Sequence, residues 1–237
     1  MSDLPPEKER YSVPLSADII TDPDELAKTE ARNSLRQFDH AMEMVEYWLD
    51  PERPFKLRPS VILRLQGIAL EGISAYAGVT RPAGIAIAGS KHKPVDAFLV
   101  QQHLEELCDY VNDKWSTASP IHLAAYVMWR LNWIHPFVDG NGRTSRTASY
   151  LVLCVKLGYR LPGTHTIPDQ ISANKHPYYD ALEAADTAYL GGAIDVSRLE
   201  DLLSNMLANQ LYKLHQEALG ASSATATDSA PDTSSQS

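Results

Sequence analysis

Apolar residues recur at helical spacing through most of the chain. Between Asp22 and Leu49 the positions Leu35, Phe38, Met42, Val45 and Leu49 follow this period, behind an acidic first turn, until Pro51 and Pro54 interrupt it. A long opening helix is predicted there, and a second from about Pro59 to Ala75. The stretch "YAGVTRPAGIAIAGSKHKP" then loses the period and takes up Gly and Pro at intervals that suit a short, solvent-facing hairpin. Val100, Leu104, Leu107 and Val111 define the stripe of a third helix. In "SPIHLAAYVMWRLNWI", Ser119 suits an N-cap and Pro120 a first turn, while the body is apolar on nearly all sides, which predicts a central helix. "RTSRTASYLVLCVKLG" reads as another buried helix closed by Gly158. "KHPYYDALEAADTAYL" and "VSRLEDLLSNMLANQLYKLHQEAL" follow as two more, separated by Gly191 and Gly192, and no internal repeat is visible. The pattern predicts an all-α fold.

Composition narrows this. With 237 residues, 44% of them hydrophobic, the chain can bury one sizeable core. The expected organisation is a single helical domain over 22–219, a flexible extension over 1–21, and a disordered tail over 220–237 whose "GASSATATDSAPDTSSQS" has too little apolar surface to order itself. A net charge of −9 argues against a nucleic-acid partner, because phosphate neutralisation needs a clustered basic surface. The two cysteines, Cys108 and Cys154, lie inside apolar helical patterns without metal or redox spacing and are expected to fill core space. The N-terminus lacks an apolar signal region and "YLVLCV" is too short to span a bilayer, so no membrane partner is expected. A cytoplasmic protein follows, or one delivered elsewhere by a route that leaves no mark in the sequence.

The richest chemistry lies in "IHPFVDGNGRTSR", residues 134–146, at the junction of the two most apolar helices. A new helix starting there presents unpaired backbone N–H groups to the preceding loop. Gly140 and Gly142 let that backbone approach a phosphate, and Asn141 can add a side-chain donor. Arg143 and Arg146, three apart, can clamp a polyphosphate from one side. Asp139 suits a magnesium ion held between one carboxylate and phosphate oxygens. His135 has the ordinary pKa of a general base near neutral pH. Pro136 stops the preceding helix and Phe137 anchors the loop. A hairpin turn is disfavoured by the helical flanks. A calcium loop fails because Arg143, Thr144 and Tyr150 stand where a ligand, a glycine and a glutamate are required. A Walker loop would end in Gly-Lys-Ser/Thr.

"HPFVDGNGRTSR" resembles the HPFx[D/E]GNGRxxR signature of the Fic family at every specified position, and the likeness extends over about residues 60–190. The resemblance implies an all-α, Fic-type helical core with a short β-hairpin flap. It implies transfer of AMP from ATP, as co-substrate with Mg2+, to a Ser, Thr or Tyr hydroxyl of a target protein. By the same likeness His135 deprotonates the hydroxyl, Asp139 binds the metal, Gly140, Asn141 and Gly142 form the anion hole, Arg143 contacts the phosphates and Arg146 holds the terminal one. Ile85, Ala86, Ile87, Ala88 and Gly89 of the flap are expected to dock the target backbone by strand addition, and Tyr178 and Tyr179 to border the nucleotide's base. Doc-type kinase toxins resemble this fold but typically carry lysine where Gly142 stands, so glycine favours AMP transfer over phosphorylation.

Many relatives in that family carry an inhibitory [S/T]xxxE[G/N] helix. "GIALEG" approximates it, but Gly67 replaces the hydroxyl residue, and Glu71 reads as structural or solvated. Inhibition by a separate protein, by an unrecognised element of the chain, or none at all is left open, as is a homo-oligomer. His92, His103 and His122 lack paired-ligand spacing and read as surface or core-edge histidines. Two alternatives stay open: a nucleotide-binding regulatory module without turnover, and a Fic enzyme that uses another donor or removes AMP.

Overall fold

The computed structural model describes residues 18–87 and 92–227, with side chains to residue 219, and contains eight α-helices among those residues. They are α1 (Pro23–Trp48), α2 (Pro59–Leu70), α3 (Val100–Asp113), α4 (Pro120–Ile134), α5 (Asn141–Leu157), α6 (Ile167–Ala173), α7 (His176–Leu190) and α8 (Ser197–Thr227). A single 3-10 turn, Ala97–Leu99, leads into α3.

The antiparallel pair α4 and α5 forms the centre. α1 and α2 pack on α5, α3 packs on α4, and α7 and α8 close the opposite side of α4. Composition explains the centrality of α4: Leu123, Ala124, Val127, Met128, Trp129 and Leu131 are all buried, so no face of the helix is free for solvent. Its start is fixed by Ser119, whose hydroxyl accepts from His122 N at 3.0 Å. Gly158 ends α5 in the left-handed conformation that the sequence predicts.

α5 differs from its expected apolar character in its first half. Thr144, Ser145, Thr147 and Ser149 are buried, and their hydroxyls serve as ties. Ser149 donates to the Ala124 carbonyl at 2.8 Å, and Thr147 to Gln37 of α1 at 3.2 Å, whose amide donates in turn to the Leu65 carbonyl of α2 at 3.0 Å. Buried polar groups that are hydrogen-bonded cost little and fix one packing arrangement. The central helix is thereby keyed to its neighbours in rotation, which orients everything at its N-terminus.

Four expectations change. α2 stops at Leu70, not near Ala75, where the chain turns through Gly72 at φ +72°. α6 has no counterpart in the periodicity reading; it is too short to show a period, and its signal is the Thr166 and Asp169 capping box with Pro168 in the first turn. α8 continues in backbone to Thr227, beyond the composition boundary at Gly220, as propagation of an established helix adds one bond per residue. No strand forms among the described residues of the segment between α2 and α3, and the expected tip residues Ala88 and Gly89 lie outside the described residues, as does the extension over 1–17. The segment is called the flap below.

The turn after α2 folds back onto that helix. A Cβ on Gly67 would stand 3.2 Å from the Gly78 Cα, so the two backbones meet with no side chain between them. Buried Gln66 fixes this approach: its Oε1 accepts from Gly78 N at 2.5 Å and its Nε2 donates to the Asp139 carbonyl at 3.1 Å. No helix among the described residues is long and apolar enough to cross a membrane.

Candidate active site

His135 caps the C-terminus of α4 in the left-handed region, φ +50°, the single non-glycine residue with positive φ among those described. Such a conformation persists only when the surroundings over-determine it. Here Arg81 of the flap does so: its Nε donates to the His135 carbonyl at 2.8 Å, and its backbone N–H to the Pro136 carbonyl at 2.8 Å. The loop beyond is pinned by Asn141, whose Oδ1 accepts from Phe137 N at 2.9 Å and whose Nδ2 donates to the Phe137 carbonyl at 2.8 Å. Phe137 is fully buried, as expected of an anchor.

Gly140, φ +80°, is the N-cap of α5; no side chain caps the N–H groups of the first turn, while the Gly140 N–H itself donates to Asp139 Oδ1 at 2.5 Å. A Cβ at Gly140 would lie 2.5 Å from Leu70 Cδ2, so both backbone conformation and space demand glycine. At Gly142 a Cβ would come within 3.2 Å of Arg146 Nη1, which places the Arg146 guanidinium directly against the helix start. Arg143 is held by two carboxylates, donating from Nη1 to Glu30 of α1 at 2.9 Å and from Nη2 to Asp139 at 2.8 Å. The junction thus gathers uncapped N–H groups, two guanidiniums and an exposed carboxylate.

The His135 imidazole is pushed down to about 4, chiefly by burial, against which the nearby Asn132 carbonyl favours the charged ring and the Arg81 cation adds to the lowering. Its Nδ1 is buried and lacks a hydrogen bond of ordinary geometry. The ring is therefore neutral at pH 7 and able to accept a proton. Burial also lowers the pKa of Arg146, with Tyr178 and Tyr179 opposing the shift. Cys108 and Cys154 are buried and pushed up to about 12 and about 11 by desolvation, so neither thiol supplies a nucleophile near neutral pH.

Beside His135 lies a cavity of about 380 Å³, lined by Ile87, His92, Asn132, Tyr179, Leu182 and the α7 carboxylates Asp180, Glu183 and Asp186, with His176 at its edge. Its size suits a nucleoside.

Residues 56–153 match the Fic/DOC family. The Fido domain-containing protein of Dictyostelium discoideum is 36% identical over 96 residues, 40% of this chain and 61% of that protein. The protein adenylyltransferase Fic of Drosophila persimilis is 40% identical over 94 residues, 39% of this chain and 16% of that protein. The N-terminal Fic domain of a Bartonella quintana effector with bound ADP superposes with a TM-score of 0.55 at 20% identity, covering 81% of this chain and 89% of that one. Over residues 56–153 the chain is similar to the Fic/DOC family, and its fold is that of Fic domains. The chain spans less than two thirds of the length of these curated relatives, from 16% to 61%.

Within the matched segment the motif residues His135, Asp139, Gly140, Gly142, Arg143 and Arg146 converge on one junction. Asn141 is different from its expected use as a side-chain donor, because Phe137 takes both ends of its amide and only its backbone remains for the cradle. The two tyrosines part company. Tyr178 is fully buried with its hydroxyl near Asn132 Nδ2 at 2.7 Å and Ser145 Oγ at 3.5 Å, whereas Tyr179 is half-exposed and lines the cavity. Glu71 meets Arg36 at 2.6 Å on the surface, in line with a solvated role. His103 and His122 pair with Glu106 and Glu200 at 2.7 Å each, and among the described residues no cluster suited to a metal ion forms from histidine, cysteine and carboxylates alone.

Three contributors escaped the motif reading: Arg81, His92 and Glu30. Arg81 and His92 sit in a segment without periodicity, and Glu30 lies 113 residues from its partner. The one available signal was an arginine and a histidine flanking an apolar run, "RPAGIAIAGSKH".

Proposed function

We propose that the protein moves AMP from Mg-ATP to a Ser, Thr or Tyr hydroxyl of a target protein and releases pyrophosphate. The observation that supports this most strongly is the pairing of a neutral, buried imidazole with an uncapped helix start flanked by Arg143 and Arg146. One side of the junction receives phosphate charge, and the other receives a proton.

In this reading the triphosphate lies on the N–H groups that open α5, with Arg143 and Arg146 against its oxygens. The nucleoside occupies the cavity between Ile87 and α7, where Tyr179 and Leu182 offer apolar area and the carboxylates face its hydroxyl and amino donors. The target hydroxyl attacks the α-phosphorus as His135 takes its proton, and the bond from that phosphorus to the bridging oxygen breaks. The left-handed His135 backbone aims the ring while the buried walls keep it unprotonated. Backbone of the flap near Ile85 to Ile87, continuing to Ala88 and Gly89, presents the target by strand addition.

Asp139 fits magnesium: its side chain is 57% exposed beside Arg143, and this ion prefers one carboxylate, phosphates and water. When bound there, the metal would neutralise charge on the phosphates. The adenylyltransferase name of the Drosophila relative and the ADP in the Bartonella domain support the donor class.

Incubation with ATP, Mg2+ and a lysate, followed by intact-mass and peptide analysis, tests the reading. One AMP per modified hydroxyl is expected, with a loss of about a hundredfold or more in His135→Ala. A gain of a single phosphate, or transfer unchanged in His135→Ala, would overturn it.

A further inference from the structure

The end of a helix leaves carbonyls without intrahelical partners. At the end of α4 and in the two residues just beyond it, two flap residues take four successive carbonyls around the proposed base. The Trp133 carbonyl accepts from His92 Nε2 at 2.7 Å, Ile134 from Arg81 Nη2 at 3.4 Å, His135 from Arg81 Nε at 2.8 Å, and Pro136 from the Arg81 backbone N–H at 2.8 Å.

The same guanidinium spans the flap itself. Its Nη1 donates to the Ala83 carbonyl at 2.9 Å on the outgoing limb, and its Nη2 to the Val95 carbonyl on the returning limb. Arg81 is 3% exposed, and burial lowers its pKa, with Asp96 the charge that opposes the shift. A buried cation that spends its planar fork on backbone carbonyls is costly, and lysine, with one ammonium, cannot reproduce the geometry. His92 adds the second limb: besides its bond to Trp133, its Nδ1 faces Asp186 at 3.7 Å across the cavity wall.

We infer that Arg81, seconded by His92, is a positioning residue for the transfer reaction. It closes the base of the flap on the end of α4, and so sets both the left-handed backbone of His135 and the distance from the imidazole to the flap backbone. The inference deepens the AMP-transfer reading and rests on it for its kinetic consequence. The base and the flap backbone at Arg81, Ala83 and Val95 are thereby tied together.

The charges facing His135 are Arg81 and His92 from the flap, Asp139 from its own loop, and His176, Asp180, Glu183 and Asp186 from α7. Of these, Arg81 and, after it, His92 lower the proton affinity of the ring, so removal of Arg81 moves the acid limb of the pH profile upward, which loss of a bystander would not do.

The test compares Arg81→Met, Arg81→Lys, His92→Leu and His92→Gln in the full chain, using α-labelled ATP and lysate protein as acceptor, and follows the His135 ring titration by NMR. Arg81→Met should lower kcat by about tenfold to a hundredfold while KM for Mg-ATP stays within about twofold, since Arg81 stands apart from the phosphate cradle. The NMR midpoint should rise. Arg81→Lys should lower kcat with a smaller rise in midpoint, and it decides the matter if Arg81→Met does not fold. His92→Gln, which keeps a donor near the Nε2 position, should recover most of the activity lost in His92→Leu. If kcat in Arg81→Lys matches wild type, or the His135 midpoint is the same in every Arg81 variant, the assignment is wrong. Absence of transfer in the wild type would defeat the AMP-transfer reading alone, because the titration needs no turnover and still decides whether Arg81 sets the histidine.

Discussion

Glu30 and Arg143, 113 residues apart in sequence, meet at 2.9 Å, so the opening helix reaches into the proposed phosphate site. Arg143 also holds Asp139, and its two terminal nitrogens are therefore each committed to a carboxylate. An incoming triphosphate must compete with Glu30 for this guanidinium. Replacing Glu30 with alanine is expected to tighten Mg-ATP binding by about fivefold, or about 1 kcal/mol, while changing unfolding stability by less than about 1 kcal/mol, because both partners are partly exposed. Calorimetric titration with the non-hydrolysable analogue reads the first, and thermal melting the second. Unchanged or weaker binding would mean that Glu30 orients Arg143 for the nucleotide.

The histidine predicts a dependence on pH. Its folded pKa, about 4, lies below the unfolded value of about 6.5, so as pH falls the unfolded chain takes up the proton first. The stability it confers is present above about pH 6.5 and is lost progressively toward pH 4. His135→Asn should therefore gain in melting temperature relative to the parent as pH is lowered through that window. Two melting curves that fall in parallel would show that the imidazole is not held neutral.

Two glycines separate strain from crowding. Gly140 and Gly158 both adopt positive φ, but a Cβ at Gly158 would meet nothing within 4 Å, whereas at Gly140 it would strike Leu70. Gly158→Ala should cost about 1–2 kcal/mol through backbone strain alone and leave nucleotide affinity intact. Gly140→Ala should cost more and abolish measurable nucleotide binding, since the cradle itself must move. Denaturant unfolding paired with nucleotide titration distinguishes the two.

The tyrosine pair makes opposite predictions. Tyr178→Phe removes a buried hydroxyl shared with Asn132 and Ser145 and should cost about 1 kcal/mol of stability, with nucleotide affinity within about twofold. Tyr179→Ala should barely affect stability yet weaken nucleotide binding by about tenfold, as it removes the exposed ring from the cavity wall.

Helix positions were legible in the sequence because α1, α3, α4, α5 and α7 are long enough to show a period or carry clear caps such as Ser119 and Gly158. α6 was not, since seven residues hold only two turns and its evidence is a capping box. The candidate site was legible where its residues are neighbours in sequence, from His135 to Arg146. Glu30, Arg81 and His92 were hidden because tertiary packing, not local pattern, brings them there, and backbone carbonyls as partners leave no trace in residue type. Tyr178 and Tyr179 looked equivalent in sequence because adjacent helix residues point about 100° apart, and only the packed structure tells which one turns inward.

The close approach of Gly67 to Gly78 also bears on inheritance. A serine or threonine at position 67, the residue an inhibitory motif would require, would bring its Cβ to 3.2 Å from the Gly78 Cα, so the turn must give by a few tenths of an ångström to admit it. That backbone is tied through Gln66 to the carbonyl of Asp139, so the intrusion would be transmitted to the carboxylate bearing the site's charge. Acquiring a hydroxyl residue at position 67 therefore carries a structural cost in this turn, on top of any gain from the motif itself.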